Sequence, residues 1–306
     1  MVALPRDPSQ LPAPLPDGRL LHPCKPHSSE KLFYWSRVLQ EFARLTKNKW
    51  AGCRVCIDLF ASSGIYRDVA TGELGWGSPL LALHAIDPFD VYIFGDKRAD
   101  RTEVLAARIE ESNLAAQVVK LHLDDPGLMR GVSSFKALHV SGPKVAVITG
   151  DANKAVPFVK LMMPGFPGRR IVLTMVDPYG VKFDWNALSG LALHERMDLL
   201  MLFPEDMDIE RNLRHHARLN RYMPPGADWL AAVAKSRNAG RTMRELYQEG
   251  LERLLGLKLG EPKTIRANGR EIYKLLYASP HERGLRVWDH ARREDPGGQI
   301  ELYLAY

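Results

Sequence analysis

Four aspartates, Asp58, Asp96, Asp151 and Asp177, each follow a short apolar run of valine, isoleucine and leucine. A carboxylate held at a strand end accepts hydrogen bonds from hydroxyls and amines. The first acid opens "DLFASSG", which puts Ala61, Ser62 and Gly64 right after it. So little side chain lets the backbone come close to a ligand. Asp96 closes "IFGD", where an acid can take both hydroxyls of a ribose, as in dinucleotide folds. Asp151 closes "ITGD", where its carboxylate, or the backbone beside it at Ala152, can meet an adenine amine. Small residues and acids, with no lysine in the loop to hold a phosphate, suit S-adenosylmethionine.

The fourth acid begins "DPYG", residues Asp177, Pro178, Tyr179 and Gly180. An Asp/Asn-Pro-Pro-aromatic turn at this place in amino-methyltransferases holds a target NH2 in line with the methyl group and stacks an aromatic ring on a flipped base. This chain lacks the second proline. The same residues also read as a proline turn closing a strand, with Tyr179 as a wall. Both readings stay open.

Lys and Arg gather in one stretch. Residues 211 to 244 hold eight of them and a single acid, Asp228, against a net charge of +6 for the whole chain. Arg211, Arg214, Arg218 and Arg221 step by three and four, which predicts one helical face. Tyr222 and Trp229 would offer aromatic surfaces beside it. A one-signed patch on a near-neutral body is the footprint of a polyanion, so a nucleic acid is the expected partner. The other reading is a solvated face paired with Glu205, Asp206 and Asp208. His215 and His216 have no further ligand at metal spacing, so no metal site is expected. Cys53 and Cys56 form a lone CxxC leading into a strand, which reads as two core residues.

These side chains need a frame. The runs "RVCIDLF", "DVYIFGD", "KVAVITGD", "RRIVLTMVDPYG" and "MDLLMLFP" alternate with helical patterns. Continuous apolar strands between amphipathic helices imply a parallel sheet covered on both faces. Ligands of open α/β sheets bind along the strands' C-terminal edge, where the acids sit. Ser78 is the expected N-cap of the helix in "GSPLLALHAI", with Pro79 at its first position, and it joins the cofactor set. The segment between Ile65 and Trp76 is long for a connection and reads as a lid loop. A hairpin is predicted around Asn268-Gly269. The expected fold is therefore α/β: a class I methyltransferase-like, Rossmann-like sheet with a helical insertion before a C-terminal antiparallel hairpin. The expected divisions are a Pro-rich arm over 1–26, the α/β core over 27–204, the basic insertion over 205–256 and the hairpin completing the core over 257–306. The arm holds seven of the 21 prolines and reads as extended or mobile. The next segment, "HSSEKLFYWSRVLQEFARL", reads as a helix capped by Ser28 or Ser29. His27 and Lys31 face the same side if that helix includes position 27. They would then hold a carboxylate of cofactor or substrate; otherwise they are a cap and a solvated lysine.

The order "HSSEKL", "IDLFASSG", "GSPLLAL", "GDAN", "VDPYG" and "GREIYKLLYASPHERGL" resembles the three-Cys-motif partner family, TcmP, over roughly residues 27 to 290. The resemblance implies a methyltransferase-like fold and a phage-type three-cysteine-motif protein as neighbour and partner. It places His27, Lys31, Gly77, Ser78 and Pro79 in the family pattern without assigning them chemistry. After DLFA the family reads Gly-Pro-Gly or similar, where this chain has Ser62-Ser63-Gly64. Three cysteines, no basic-then-apolar leader and no long apolar run lead to the expectation of a cytoplasmic protein away from membranes. Two functions follow: an S-adenosylmethionine-dependent methyltransferase N-methylating a nucleic-acid or nucleotide-like substrate, or a non-catalytic partner subunit with the same fold.

Overall fold

In β2 (Cys53–Asp58) and β5 (Val91–Asp96) consecutive apolar residues go to opposite faces of one sheet. Val55, Ile57, Val91 and Ile93 enter one hydrophobic cluster, and Cys56, Tyr92 and Phe94 enter the other. That two-sided burial is why the runs are continuous rather than alternating. The computed structural model describes residues 11–47, 52–85, 87–112, 116–138, 142–163, 170–178, 180–192, 196–205, 208–267 and 269–299.

The chain order begins with β1 (His22–Cys24), α1 (Pro26–Lys47) and β2. β3 (Ile65–Asp68), β4 (Leu74–Trp76), α2 (Ser78–Leu83), β5 and α3 (Ala99–Glu110) come next. After them run β6 (Gln117–His122), α4 (Leu128–Ala137), β7 (Lys144–Thr149), α5 (Ala152–Met162), β8 (Arg170–Val176), α6 (Trp185–Ala192) and β9 (Met197–Phe203). The insertion supplies α7 (Asp208–Asn212), α8 (His216–Tyr222), α9 (Trp229–Ala234) and α10 (Ala239–Leu255). β10 (Lys258–Leu259), β11 (Lys263–Ala267), β12 (Arg270–Ser279) and α11 (Glu282–Arg292) finish the described chain.

The main sheet runs β6-β7-β5-β2-β8-β9-β12, with β10 and β11 both on the outer edge of β12. The first six are parallel and β12 is antiparallel to β9. This is the α/β, Rossmann-like sheet with a C-terminal antiparallel hairpin that the sequence led us to expect. One face carries α1, α2, α3 and α11 through Trp35, Leu81, Leu105 and Trp288. The other carries α4, α5, α6 and the insertion, through Phe135, Val159, Leu188 and Met243. β9 and β12 are further tied by buried Asp198, which accepts the Tyr277 and Ser279 hydroxyls at 2.7 Å each.

Several expectations change. A sixth parallel strand, β6, is added at the edge; only Leu121 of its six residues is buried, so its apolar signal is thin. α1 starts at Pro26, so Ser28 and Ser29 lie in its first turn and do not cap it. The lid loop is a hairpin: β3 and β4 pair antiparallel, and β1 adds to β3 in a small second sheet. The arm is docked from residue 11 onward; Pro12 carbonyl accepts from Trp76 Nε1 at 2.9 Å and Asp17 pairs with Arg108. Ser78 does not cap α2. Gly77 does, without a side-chain bond, and a Cβ there would make a tight 3.0 Å contact with the Gly64 carbonyl. The single basic helix face over 211–221 is broken into α7 and α8. Asn212, a turn former, ends α7, and its carbonyl accepts from His215 N–H at 2.7 Å. Tyr222 and Trp229 are core residues, 0% and 4% exposed, and offer no open aromatic surface. Asn268 and the arm's first ten residues lie outside the described residues.

Cys24, Cys53 and Cys56 are free thiols, and burial pushes the Cys53 thiol up to about 12 and Cys56 well above its ordinary value. Among the described residues no cluster of His, Cys, Asp or Glu could hold a metal ion, and no helix is long and apolar enough to cross a membrane.

Candidate active site

β2 ends at Asp58 in the middle of the sheet, between β5 and β8. The chain then turns through Leu59 to Gly64. Ser62 takes a positive φ of 55° and Gly64 one of 86°, so this loop folds back tightly over the strand end. At Gly64 a Cβ would stand 3.0 Å from Leu105 and Leu80, and φ is unfavourable as well, which explains the glycine. Above the loop lies a cavity of about 530 Å³. Its floor is Phe60, Ala61, Ser62 and Gly64 from the loop, with Gly77 and Ser78 from the start of α2. The turn after β8 adds Asp177, Pro178 and Gly180. The start of α1 adds His27 and Lys31, and the insertion adds Arg211.

Asp58 lies beneath this floor and is 0% exposed. Its Oδ1 accepts the Phe60 amide at 2.9 Å. Its Oδ2 has no hydrogen bond of acceptable geometry, although the Ser78 hydroxyl is near enough to favour the ionised form. Burial dominates and pushes the carboxyl up to about 7, with Asp177 adding repulsion and Lys31 opposing it. Ser62 Oγ is a second unpaired polar atom at the floor. Lys31 Nζ pairs with Asp177 Oδ2, and the ammonium also sits 5.6 Å from the Trp35 ring. Both partners are largely shielded, with side chains 11% and 25% exposed.

His27 is inside α1, so it shares a face with Lys31. Its ring stands edge-on to Tyr273 at 5.8 Å, and its carbonyl accepts the Tyr273 hydroxyl at 2.9 Å. Burial, then Lys25 and Lys31, lower its pKa below the ordinary histidine value. His22, on β1, is lowered by burial and then by Arg101 and Lys31. Both imidazoles are therefore neutral at pH 7 and available as proton acceptors.

The other expected residues stand off the cavity. Asp96 is 8% exposed; its Oδ1 accepts the Arg98 amide at 2.9 Å and its Oδ2 faces Arg101 at 3.4 Å. Arg101 itself lines the cavity. Asp151 caps α5, accepting from Asn153 N–H at 3.0 Å, and Ala152 is the first residue of that helix. Lys97 stands 3.9 Å from Asp151. Arg214, Arg218 and Arg221 line a separate surface cleft. Tyr179 lies outside the described residues. The sequence reading missed His22, Lys25, Arg101, Tyr66 and Tyr273 as lining residues. No local pattern marks them; they reach the cavity through the docked arm, β3, the first turn of α3 and the C-terminal hairpin.

The architecture is that of an α/β protein with a ligand-sized hollow over the C-terminal edge of a mostly parallel sheet. No family model matches the chain, and no curated protein matches it. Solved structures align with low similarity. Magnesium protoporphyrin IX methyltransferase from Synechocystis PCC 6803, solved with bound SAH, is 11% identical over 82% of this chain and 86% of its own, with a TM-score of 0.37. Protein LPL1258 from Legionella pneumophila is 11% identical over 83% and 89%, with a TM-score of 0.41. A duf574 family protein from Streptomyces avermitilis is 13% identical over 83% and 84%, with a TM-score of 0.35.

Proposed function

We propose that this protein is an S-adenosylmethionine-dependent methyltransferase acting on an amine-bearing substrate. The observation that carries the reading is Asp58 Oδ2, a buried acceptor to which the nearby Ser78 hydroxyl makes no well-formed hydrogen bond, under a loop of nearly bare backbone at the sheet's central strand end. A buried polar atom left unpaired costs about 1–3 kcal/mol, so it marks a place where a ligand donor fits. The cofactor's ammonium is such a donor, and Ser62 Oγ, on the cavity's floor, is a second unpaired group. The residues present therefore fit the group. When bound, it would supply an activated methyl group.

The chain's own residues do the rest. Asp177 accepts a hydrogen bond from the target amine and fixes its direction, and Lys31 holds that carboxylate in place. Neutral His27 stands in the same cavity to take the proton released. Phe60, Pro178 and Tyr273 exclude water from the hollow. A ribose reaching Asp96 would displace Arg101, whose contact is long at 3.4 Å.

That occupied Asp96 and the closed Lys31–Asp177 pair support a second reading: a non-catalytic subunit of the same fold bound to a three-cysteine-motif protein. Calorimetry with S-adenosylmethionine separates the two. The enzyme reading expects micromolar binding that Asp58→Ala weakens at least about tenfold, together with transfer of tritiated methyl from cofactor to substrate. No heat and no thermal shift at millimolar cofactor would remove it and leave the subunit reading.

A further inference from the structure

The insertion carries an open cleft of about 520 Å³ lined by Arg214, His215, His216, Ala217, Arg218 and Arg221. All six are exposed. Arg214 has no ion pair among the described residues. Arg218 donates to Asn212 Oδ1 at 3.0 Å, which leaves its charge uncompensated. Arg221 meets Asp184 at 3.6 Å, a loose pair with both side chains partly open to water. Glu205, which could have neutralised the patch, is instead buried against Arg244 at 2.6 Å. Among the described side chains, only Asp184 offsets the cleft's three guanidiniums. The same insertion bears exposed Lys235 and Arg237.

The cleft and the cavity share no lining residue, but short stretches of chain join them. Arg211, three residues before Arg214, lines the cavity itself. At the other end Arg221 touches Asp184, in the segment after β8 whose Asp177, Pro178 and Gly180 also line the cavity. Tyr222, Trp229 and Tyr247 of the insertion are all buried, so they offer no open face to bases, and the rings left at the cleft are the imidazoles of His215 and His216. We infer that this arginine cleft binds the phosphate backbone of a nucleic acid and delivers one of its nucleotides to the cavity. The inference rests on the methyltransferase reading for the delivery step alone; the binding step stands without it.

The interaction is electrostatic and sequence-tolerant. About three phosphate contacts on a duplex give a log–log salt slope near −2.7, or about a 40-fold loss of affinity between roughly 50 and 200 mM salt. Duplexes bind at least as tightly as single strands, since their charge density is higher and no Tyr or Trp face is open for stacking.

The test is fluorescence anisotropy with labelled DNA and RNA oligonucleotides, single-stranded and duplex, over a salt series and without cofactor. Arg214→Ala/Arg218→Ala/Arg221→Ala is expected to lose about tenfold or more in affinity and to flatten the slope. A triple lysine replacement at the same positions keeps binding, because a point charge suffices for phosphate. A charge-matched control removes exposed Arg283, Arg286 and Arg293 at the α11 end of the molecule, and is expected to bind as wild type. The DNA and RNA arms report which backbone the cleft prefers. Four results would each overturn the inference: no binding at about 50 mM salt, equal loss in the control, competition by polyglutamate as strong as by oligonucleotide, or single strands markedly tighter than duplexes. Because cofactor is absent, failure here leaves the methyltransferase reading untouched, and failure of cofactor binding leaves this one.

Discussion

Asp58 sets the balance between stability and binding at the residue scale. Its carboxyl is pushed from an ordinary 3.8 up to about 7, mainly by burial. The native state then holds a proton that the unfolded chain has released, so stability falls as pH rises from about 4 through 7 and levels off above that. Asp58→Asn keeps an acceptor for the Phe60 amide and removes the charge. The variant is expected to be more stable than wild type above pH 7, by an upper bound of roughly 4 kcal/mol for three pKa units, with the gap closing toward pH 4. Thermal or urea midpoints at about pH 5 and pH 8 measure it. A gap that does not widen with pH would mean that Asp58 is not the buried acid described here. The same variant should bind S-adenosylmethionine poorly, since a cationic ligand favours the ionised carboxylate. Gain of stability with loss of affinity is the signature of a strained functional group.

Helix docking sets the shape of the insertion. In α10 a Cβ on Gly240 would stand 2.1 Å from the Glu205 carbonyl, and one on Gly250 would stand 2.3 Å from Pro224. Intrinsic preference alone would make Gly240→Ala stabilising by about 1 kcal/mol. The contact at Gly240 is to backbone, which cannot swing aside, so overpacking at about 1–3 kcal/mol should win. Gly240→Ala is expected to destabilise the protein in urea unfolding and to disturb Glu205–Arg244, the buried pair beside it. A neutral or stabilising result would show that α10 can slide away from β9. None of this was legible in the sequence, where Gly240 is one glycine in a basic helical stretch. What was legible had a strong periodic cause. Strands β2, β5, β7, β8 and β9 are buried on both faces, so their apolar runs stood out, while the edge strand β6 did not. α1 was readable from its apolar residues at helical spacing, but its start at Pro26 was not, which left the shared face of His27 and Lys31 conditional. The break between α7 and α8 was not, because three-and-four spacing of arginines survives a turn at Asn212 that only the backbone reveals.

At the scale of the whole molecule the site depends on pieces brought together from both ends of the chain. The loop after Asp58 and the turn at Asp177 could be placed at one sheet edge from their strands. His22, Arg101 and Tyr273 could not: His22 comes in on the three-residue strand of the docked arm, Arg101 on the first turn of α3 and Tyr273 on β12, and no sequence pattern points any of them at the cavity. The central link is Arg108 on α3. It donates to Asp17 Oδ2 from Nε at 2.7 Å and to the Ser63 carbonyl from Nη1 at 2.5 Å. One guanidinium thus joins the arm to the loop that floors the cavity. Its side chain is 4% exposed, whereas Asp17 faces water more openly at 27%. The Arg108 hydrogen bond holds the Asp17 carboxyl down to about 2, so the pair's contribution is complete above pH 4 and is lost as pH falls toward 2. With one partner solvent-screened, its contribution lies between those of surface and buried pairs, at about 1–2 kcal/mol. Asp17→Asn at pH 7 is expected to free the arm and loosen the loop together. Hydrogen exchange should speed up at β1 and β3, whose parallel pairing depends on the arm, and at Ser62 to Gly64, which lie 45 residues or more away in sequence. If exchange rises only around residues 17 to 19, the arm is an independent cover, and the cavity is built by the sheet alone.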